Sequence, residues 1–171
     1  ASFQLDGTAN WNQTYGSDWI SCNACPAIKG TRLVVPANWD TYSIRGVDAV
    51  SGGTIWSYTV HGLHGSPVIT ADDKVVFTDY DGSLHCITLA GGVDVWPAVA
   101  LGGGRSASTP AILGDIIVTG GTGSIRAYSL ANGSLLWATP ISTSPLKMAP
   151  YSNAFDALVG SATIAGSIAY V

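Results

Sequence analysis

The sequence predicts an all-β chain built from four copies of a four-stranded antiparallel unit, and three observations carry that prediction. First, a Gly four residues ahead of a Trp recurs as Gly7/Trp11, Gly52/Trp56, Gly92/Trp96 and Gly133/Trp137. The tryptophans are 45, 40 and 41 residues apart. Second, a Pro that opens an apolar strand recurs as Pro26, Pro67, Pro110 and Pro150, at spacings of 41, 43 and 40. Third, no stretch of useful length has helical periodicity, and Gly, Asn and Asp punctuate short apolar runs throughout. Two independent markers share a period near 40, with about four strands to a period. That is the pattern of a β-propeller.

The strands follow in order. The first repeat, about residues 22–63, turns at Gly30-Thr31, Asp40-Thr41 and Gly52-Gly53. In the second, about 64–105, a strand at Pro67–Thr70 turns at Ala71-Asp72-Asp73 into Lys74–Thr78. Asp81-Gly82 then leads into Ser83–Leu89, and Gly91-Gly92 into Val93–Val99. The third, about 106–144, repeats the scheme with Gly114-Asp115, Gly121–Gly123 and Asn132-Gly133. Asn132-Gly133 lies between Ile125–Leu130 and Leu135–Trp137, which predicts a tight I′ hairpin with positive φ at both central residues.

The fourth repeat is split. Residues 145–171 open at Pro150, pass Ala157-Leu158-Val159, turn at Ala165-Gly166 and run on through Ser167–Val171. Matching Gly166 to Gly123 sets Val171 opposite Tyr128, part-way along a third strand. Phe3–Trp11, within residues 1–21, reads as the missing remainder. The N-terminal segment is therefore expected to complete the unit left unfinished at the C-terminus, in the same chain or in another subunit. Unpaired strand edges favour association.

Composition narrows the class. A chain of 171 residues is long enough for one domain with a sizeable core. Apolar residues make up 47% but charged ones only 11%, well below the roughly 25% of an average soluble domain. A net charge of -4 argues against a nucleic-acid partner. No apolar run approaches the roughly 18 residues of a membrane span. Asn12-Gln13-Thr14 and Asn132-Gly133-Ser134 fit N-glycosylation acceptors at Asn12 and Asn132. With the close pair Cys22 and Cys25, they point to a secreted, extracellular or cell-surface protein.

The repeat resembles the PQQ-type (quinoprotein-like) propeller repeat, whose blade pattern is roughly Ala-x-Asp-x-x-x-Gly-x-x-x-Trp. Blade one carries Gly46, Asp48, Gly52 and Trp56; blade two Cys86, Thr88, Gly92 and Trp96; blade three Ala127, Ser129, Gly133 and Trp137. The Asp is kept once, the Gly and Trp four times. The resemblance implies that Trp11, Trp56, Trp96 and Trp137 dock between neighbouring blades, with Gly7, Gly52, Gly92 and Gly133. An indole is large enough to bridge two sheets if its N–H finds an acceptor. The family includes dehydrogenases, outer-membrane assembly lipoproteins and non-catalytic scaffolds, so the resemblance specifies fold more than function.

A quinoprotein dehydrogenase requires a quinone, Ca²⁺, a catalytic Asp and, typically, a disulfide between adjacent cysteines. Cys22 and Cys25 are two residues apart, and Asp6, Asp72, Asp73, Asp81 and Asp115 fall where turns explain them. No catalytic, cofactor-binding or metal residue is therefore assigned, and no cofactor is expected. A local Cys22–Cys25 disulfide is preferred over zinc held by those cysteines with His61 and His64. Cys86, at a small-residue position, reads as a buried structural thiol. Trp19, Trp39, Tyr15, Tyr42 and Tyr80 lie near loops, where stacking on sugars competes with packing between blades. The expectation is a non-catalytic extracellular scaffold whose copies join through their terminal strands into a ring or filament. The alternatives are a fragment or relative of a quinoprotein dehydrogenase, a glycan-binding propeller, and a piece of a longer tandem-repeat chain whose ends are arbitrary.

Overall fold

The computed structural model describes residues 1–14, 24–36, 43–63, 65–102, 108–121, 123–140 and 161–170. All regular structure there is β. A short pair, β1 (Ser2–Phe3) and β2 (Ala9–Trp11), precedes three four-stranded antiparallel sheets. Blade one is β3 (Ala27–Lys29), β4 (Arg32–Val35), β5 (Ser43–Asp48) and β6 (Thr54–Thr59). Blade two is β7 (Val68–Ile69), β8 (Lys74–Thr78), β9 (Ser83–Thr88) and β10 (Asp94–Ala100). Blade three is β11 (Ala111–Leu113), β12 (Ile116–Gly121), β13 (Ser124–Ser129) and β14 (Leu135–Pro140). A last pair, β15 (Thr163–Ala165) and β16 (Ile168–Tyr170), packs onto blade three. Among the described residues no helix is long and apolar enough to cross a membrane.

Each blade is covered on both faces, so its middle strands read as apolar runs rather than as alternation. In β8, Val75 joins the core shared with blade one and Val76 the core shared with blade three. The first core also holds Val34, Ile44, Trp56, Phe77 and Ile87, the second Leu84, Cys86, Trp96, Ile117 and Tyr128. The first strands lie side by side, β3 against β7 and β11 against β15. A hydroxyl staircase ties their starts together. Cys25 N donates to Ser66 Oγ (2.9 Å), Ser66 N to Thr109 Oγ1 (2.9 Å) and Thr109 N to Ser161 Oγ (3.3 Å).

That staircase fixes the fourth blade and corrects its sequence alignment. Ser161 occupies the place of Thr109 and Ser66, so Ala162 stands where Pro110 and Pro67 stand. Gly166 (φ +60°) turns β15 into β16 as Gly114 (φ +54°) turns β11 into β12. Gly166 therefore matches Gly114, not Gly123, and β15–β16 are the first two strands of a blade. Pro150 and Ala157–Val159 lie outside the described residues. At the other end, Ser2 pairs with Trp11 as Gly46 pairs with Trp56, Cys86 with Trp96 and Ala127 with Trp137. So β1–β2 are the last two strands of a blade.

The Asn132-Gly133 hairpin also departs from expectation. Gly133 has φ +73°, but Asn132 does not take positive φ. The loop is wider than two residues: Ser129 N donates to Ser134 O and Gly133 N to Ser129 O. Asn132 Oδ1 instead accepts from Ser134 N (3.0 Å). The side chain satisfies the turn, so only the glycine needs the left-handed region.

Two glycines separate conformation from space. A Cβ on Gly92 (φ +62°) would sit 2.6 Å from Trp56 Cε3, whereas one on Gly114 (φ +54°) would meet nothing within 4 Å. Gly114→Ala carries only the backbone penalty, about 1–2 kcal/mol. Gly92→Ala adds overpacking of similar size. Urea unfolding should show Gly92→Ala the more destabilising by at least about 1 kcal/mol; equal losses would mean that Trp56 does not pack on this hairpin.

Candidate functional site

The blade junctions repeat one piece of geometry. Trp11 lies over Gly52 and its Nε1–H donates to Ala49 O (2.9 Å). Trp56 lies over Gly92 and donates to Leu89 O (2.8 Å). Trp96 lies over Gly133 and donates to Leu130 O (3.1 Å). The residue opposite each Trp is small for the same reason: a Cβ on Gly46 would run into the Trp56 ring. The family's Asp position caps these hairpins. Asp48 Oδ1 accepts from Ser51 N (2.8 Å) and Val50 N (3.1 Å), which together with the Ser51 hydroxyl hold its carboxyl below the usual range. Thr88 and Ser129 do the same with hydroxyls, toward Val93 N and Ala131 N.

Trp137 is the exception. It is 42% exposed, against 8% for Trp56, and its indole N–H has no acceptor among the described residues. The hairpin that would receive a Trp is Gln4–Thr8, where Gln4 N donates to Thr8 O as Asp48 N donates to Gly53 O. It is one residue shorter than the others, which places Leu5 where Leu89 and Leu130 stand. Leu5 is fully exposed at 111%, while Leu89 and Leu130 are 6% and 4% exposed. Phe3, in the place of the buried Val47 and Ile87, is exposed too. Ile168 and Tyr170 on β16 complete this apolar set. The candidate site is thus the pair of half-blades, one presenting Phe3, Leu5 and Gly7, the other β16 beside Trp137.

A polar network missed by sequence reasoning spans the junction of blades one and two. Tyr58 OH donates to Asp94 Oδ1 (2.8 Å) and lies 3.3 Å from His85 Nδ1. His85 Nε2 meets Asp79 Oδ2 (2.9 Å), whose other oxygen accepts from Ser83 N (2.8 Å). His85 and Asp79 are both buried, and Phe77 stacks on the imidazole at 4.9 Å. Burial, followed by the Asp94 carboxylate, pushes the Tyr58 phenol up to about 12. Tyr58 lies 27 positions from His85 and 36 from Asp94, so no local motif advertises the network. Their packing within a junction marks them as a structural lock.

The other sequence candidates are dispersed. Asn12 and Asn132 are exposed. Cys25 is exposed with an unbonded thiol; Cys22 lies outside the described residues, and the bridge is not placed by the structure. His61 pairs with Asp81 Oδ2 (2.6 Å), while His64 lies outside the described residues. No group of three or more metal-ligating side chains occurs among the described residues. Tyr80 is buried rather than available for stacking, and Trp19, Trp39, Tyr15 and Tyr42 lie outside the described residues. Cys86 is fully buried opposite Trp96, and burial pushes its thiol up to about 12.

The family described as "Outer membrane protein assembly factor BamB" matches residues 1–171, and the chain belongs to it. BamB from Moraxella catarrhalis is similar at a TM-score of 0.58 and 21% identity, over 70% of this chain and 37% of that one. The computationally designed Ika4 protein gives 0.64 and 18%, over 90% of this chain and 85% of the other. Quinohemoprotein alcohol dehydrogenase from Comamonas testosteroni gives 0.62 and 20%, over 75% of this chain and 22% of that one. These identities establish the fold alone, and the chain spans well under half of the BamB and dehydrogenase chains. No curated protein sequence is matched significantly.

The lock has a pH signature. Tyr58 stays protonated in the folded state above the pH near 10 at which the unfolded phenol ionises. The unfolded chain thus binds fewer protons in that window, and stability falls as pH rises from about 10 toward 12. Tyr58→Phe should flatten this fall in urea midpoints measured across that range. An unchanged slope would mean that Tyr58 is not held in the network.

Proposed function

We propose that this BamB-family chain is a non-catalytic assembly scaffold, working outside the cytoplasm, whose two half-blades complete one another. The observation that carries it is the division of the fourth blade: β15–β16 are strands one and two, β1–β2 are strands three and four. In blade three Ile116 pairs with Ser129, Ile117 with Tyr128 and Val118 with Ala127. Carried over, Ile168 faces Gln4, Ala169 faces Phe3 and Tyr170 faces Ser2. This register covers Phe3 and Leu5 with blade three, seats Trp137 over Gly7 and gives its indole N–H the Leu5 carbonyl. The pairing closes a ring within one chain or joins successive copies by strand addition.

The exposed positions of Asn12 and Asn132 and the low charge support the location, and the family's named role in outer-membrane protein assembly supports a scaffold rather than an enzyme. The dehydrogenase likeness rests on fold at 20% identity.

Cysteine pairing tests the register. In a background lacking the native cysteines, Ser2→Cys with Tyr170→Cys should oxidise to a disulfide, and Ser2→Cys with Ile168→Cys, two residues out of register, should not. Non-reducing mass then separates a closed monomer from covalent oligomers. Equal cross-linking of both pairs, or of neither, contradicts the reading.

A further inference from the structure

The repeat supplies its own comparison between junctions. At the junction of blades one and two, Lys29 reaches from the end of β3 onto the β7–β8 hairpin. Its ammonium donates to Thr70 O (3.1 Å), Ala71 O (2.6 Å) and Asp73 Oδ1 (2.6 Å), three acceptors for its three N–H bonds. One junction further on, the corresponding hairpin is one residue shorter and no lysine crosses to it. Leu89 N donates to Asp73 O and Leu130 N to Asp115 O, which makes Asp115 the counterpart of Asp73. Leu113 and Gly114 stand where Thr70 and Ala71 stand. The residue in the place of Lys29 is Thr70, too short to cross, with its hydroxyl turned to Asp72 Oδ1 (2.6 Å).

The space that Lys29 fills at one junction is open at the next. A cleft of about 500 Å³ lies there, its apolar wall formed by Ile69, Ile112 and Leu130 and its polar wall by Thr70, Gly114 and Asp115. Asp72, also at its rim, is neutralised by Lys74 (2.7 Å). The Asp115 carboxylate takes no hydrogen bond or ion pair among the described residues; the Lys74 ammonium, paired with Asp72, interacts with it only through space. The cleft therefore combines a carboxylate with no hydrogen-bonded partner among the described residues, a hairpin backbone and an apolar floor for a carbon chain.

We propose that the cleft between blades two and three binds a primary alkylammonium, in practice a lysine side chain presented by a partner protein. The Asp115 carboxylate and the hairpin carbonyls take the ammonium, as Asp73, Thr70 and Ala71 take that of Lys29, and the methylenes lie along Ile69, Ile112 and Leu130. The inference does not depend on how the half-blades are completed. A compact ammonium with three donors suits this site, whereas a planar guanidinium does not reproduce the three-point contact.

The test is an amide NMR titration of the intact chain with n-butylammonium and with the peptide Gly-Lys-Gly, at fixed ionic strength, with n-butanol as control. Saturable shifts are expected at Ala71, Gly114 and Asp115 with both ammonium probes and not with n-butanol. Asp115→Asn, on an exposed turn, should weaken binding at least fivefold. Thr70→Lys should fill the cleft from within and abolish the response. Lys29→Thr should create a second responsive site at Ala71 and Asp73. Shifts that fail to saturate, that n-butanol reproduces, or that survive Thr70→Lys would overturn the proposal.

Discussion

An indole laid over a glycine of the next blade, with its N–H on that blade's hairpin carbonyl, is the contact on which the molecule depends. Burying such a ring contributes about 2–3 kcal/mol, and its hydrogen bond about 1 kcal/mol more. The contact dictates much around it. Gly52, Gly92 and Gly133 take positive φ and have no room for a Cβ beneath Trp11, Trp56 and Trp96. The residue across from each Trp must be small, and Gly46, Cys86, Ala127 and Ser2 meet that demand differently. Side-chain caps from Asp48, Thr88 and Ser129 hold the receiving hairpins in shape.

Because this contact needs a Gly and a Trp at fixed spacing, it is legible in the sequence, and the three complete blades follow from it. The fourth blade was harder to read for a physical reason. Its first strand is fixed by Ser161 Oγ on Thr109 N, and a serine hydroxyl leaves no period in the sequence. The Pro that marks blades one to three is replaced there by Ala162, and Ser161 follows Thr109 by 52 residues rather than the 41 to 43 of the earlier steps. Pro150, at the expected spacing, lies outside the described residues. Gly166 resembles Gly123 in sequence because both are left-handed glycines at hairpin turns, with φ of +60° and +61°.

Side-chain chemistry at the junctions was illegible for a different reason. The Tyr58, His85, Asp79 and Asp94 network and the Lys29 bridge both join residues from neighbouring blades. Their partners are set by the superposition of repeats, not by proximity along the chain. Once the repeat is in register, each junction becomes a control for the next: Lys29 gives meaning to the space beside Thr70, and Leu89 and Leu130 give meaning to Leu5. Blades two and three thus carry the same frame as blade one with different contents, which is how a propeller acquires distinct surfaces without changing fold.

The central claim is that the frame extends to the fourth blade, with Trp137 docked on the Gln4–Thr8 hairpin. The most direct measurement is hydrogen exchange of the indole N–H protons, followed by NMR. Trp11, Trp56 and Trp96 donate to carbonyls at 2.9, 2.8 and 3.1 Å and set the scale of protection. Trp137 is expected to be protected to a similar degree, and Gly7→Val, which fills the space beneath the ring, to remove protection from Trp137 while Trp56 and Trp96 keep theirs. A Trp137 indole that exchanges freely while the others are protected would contradict it.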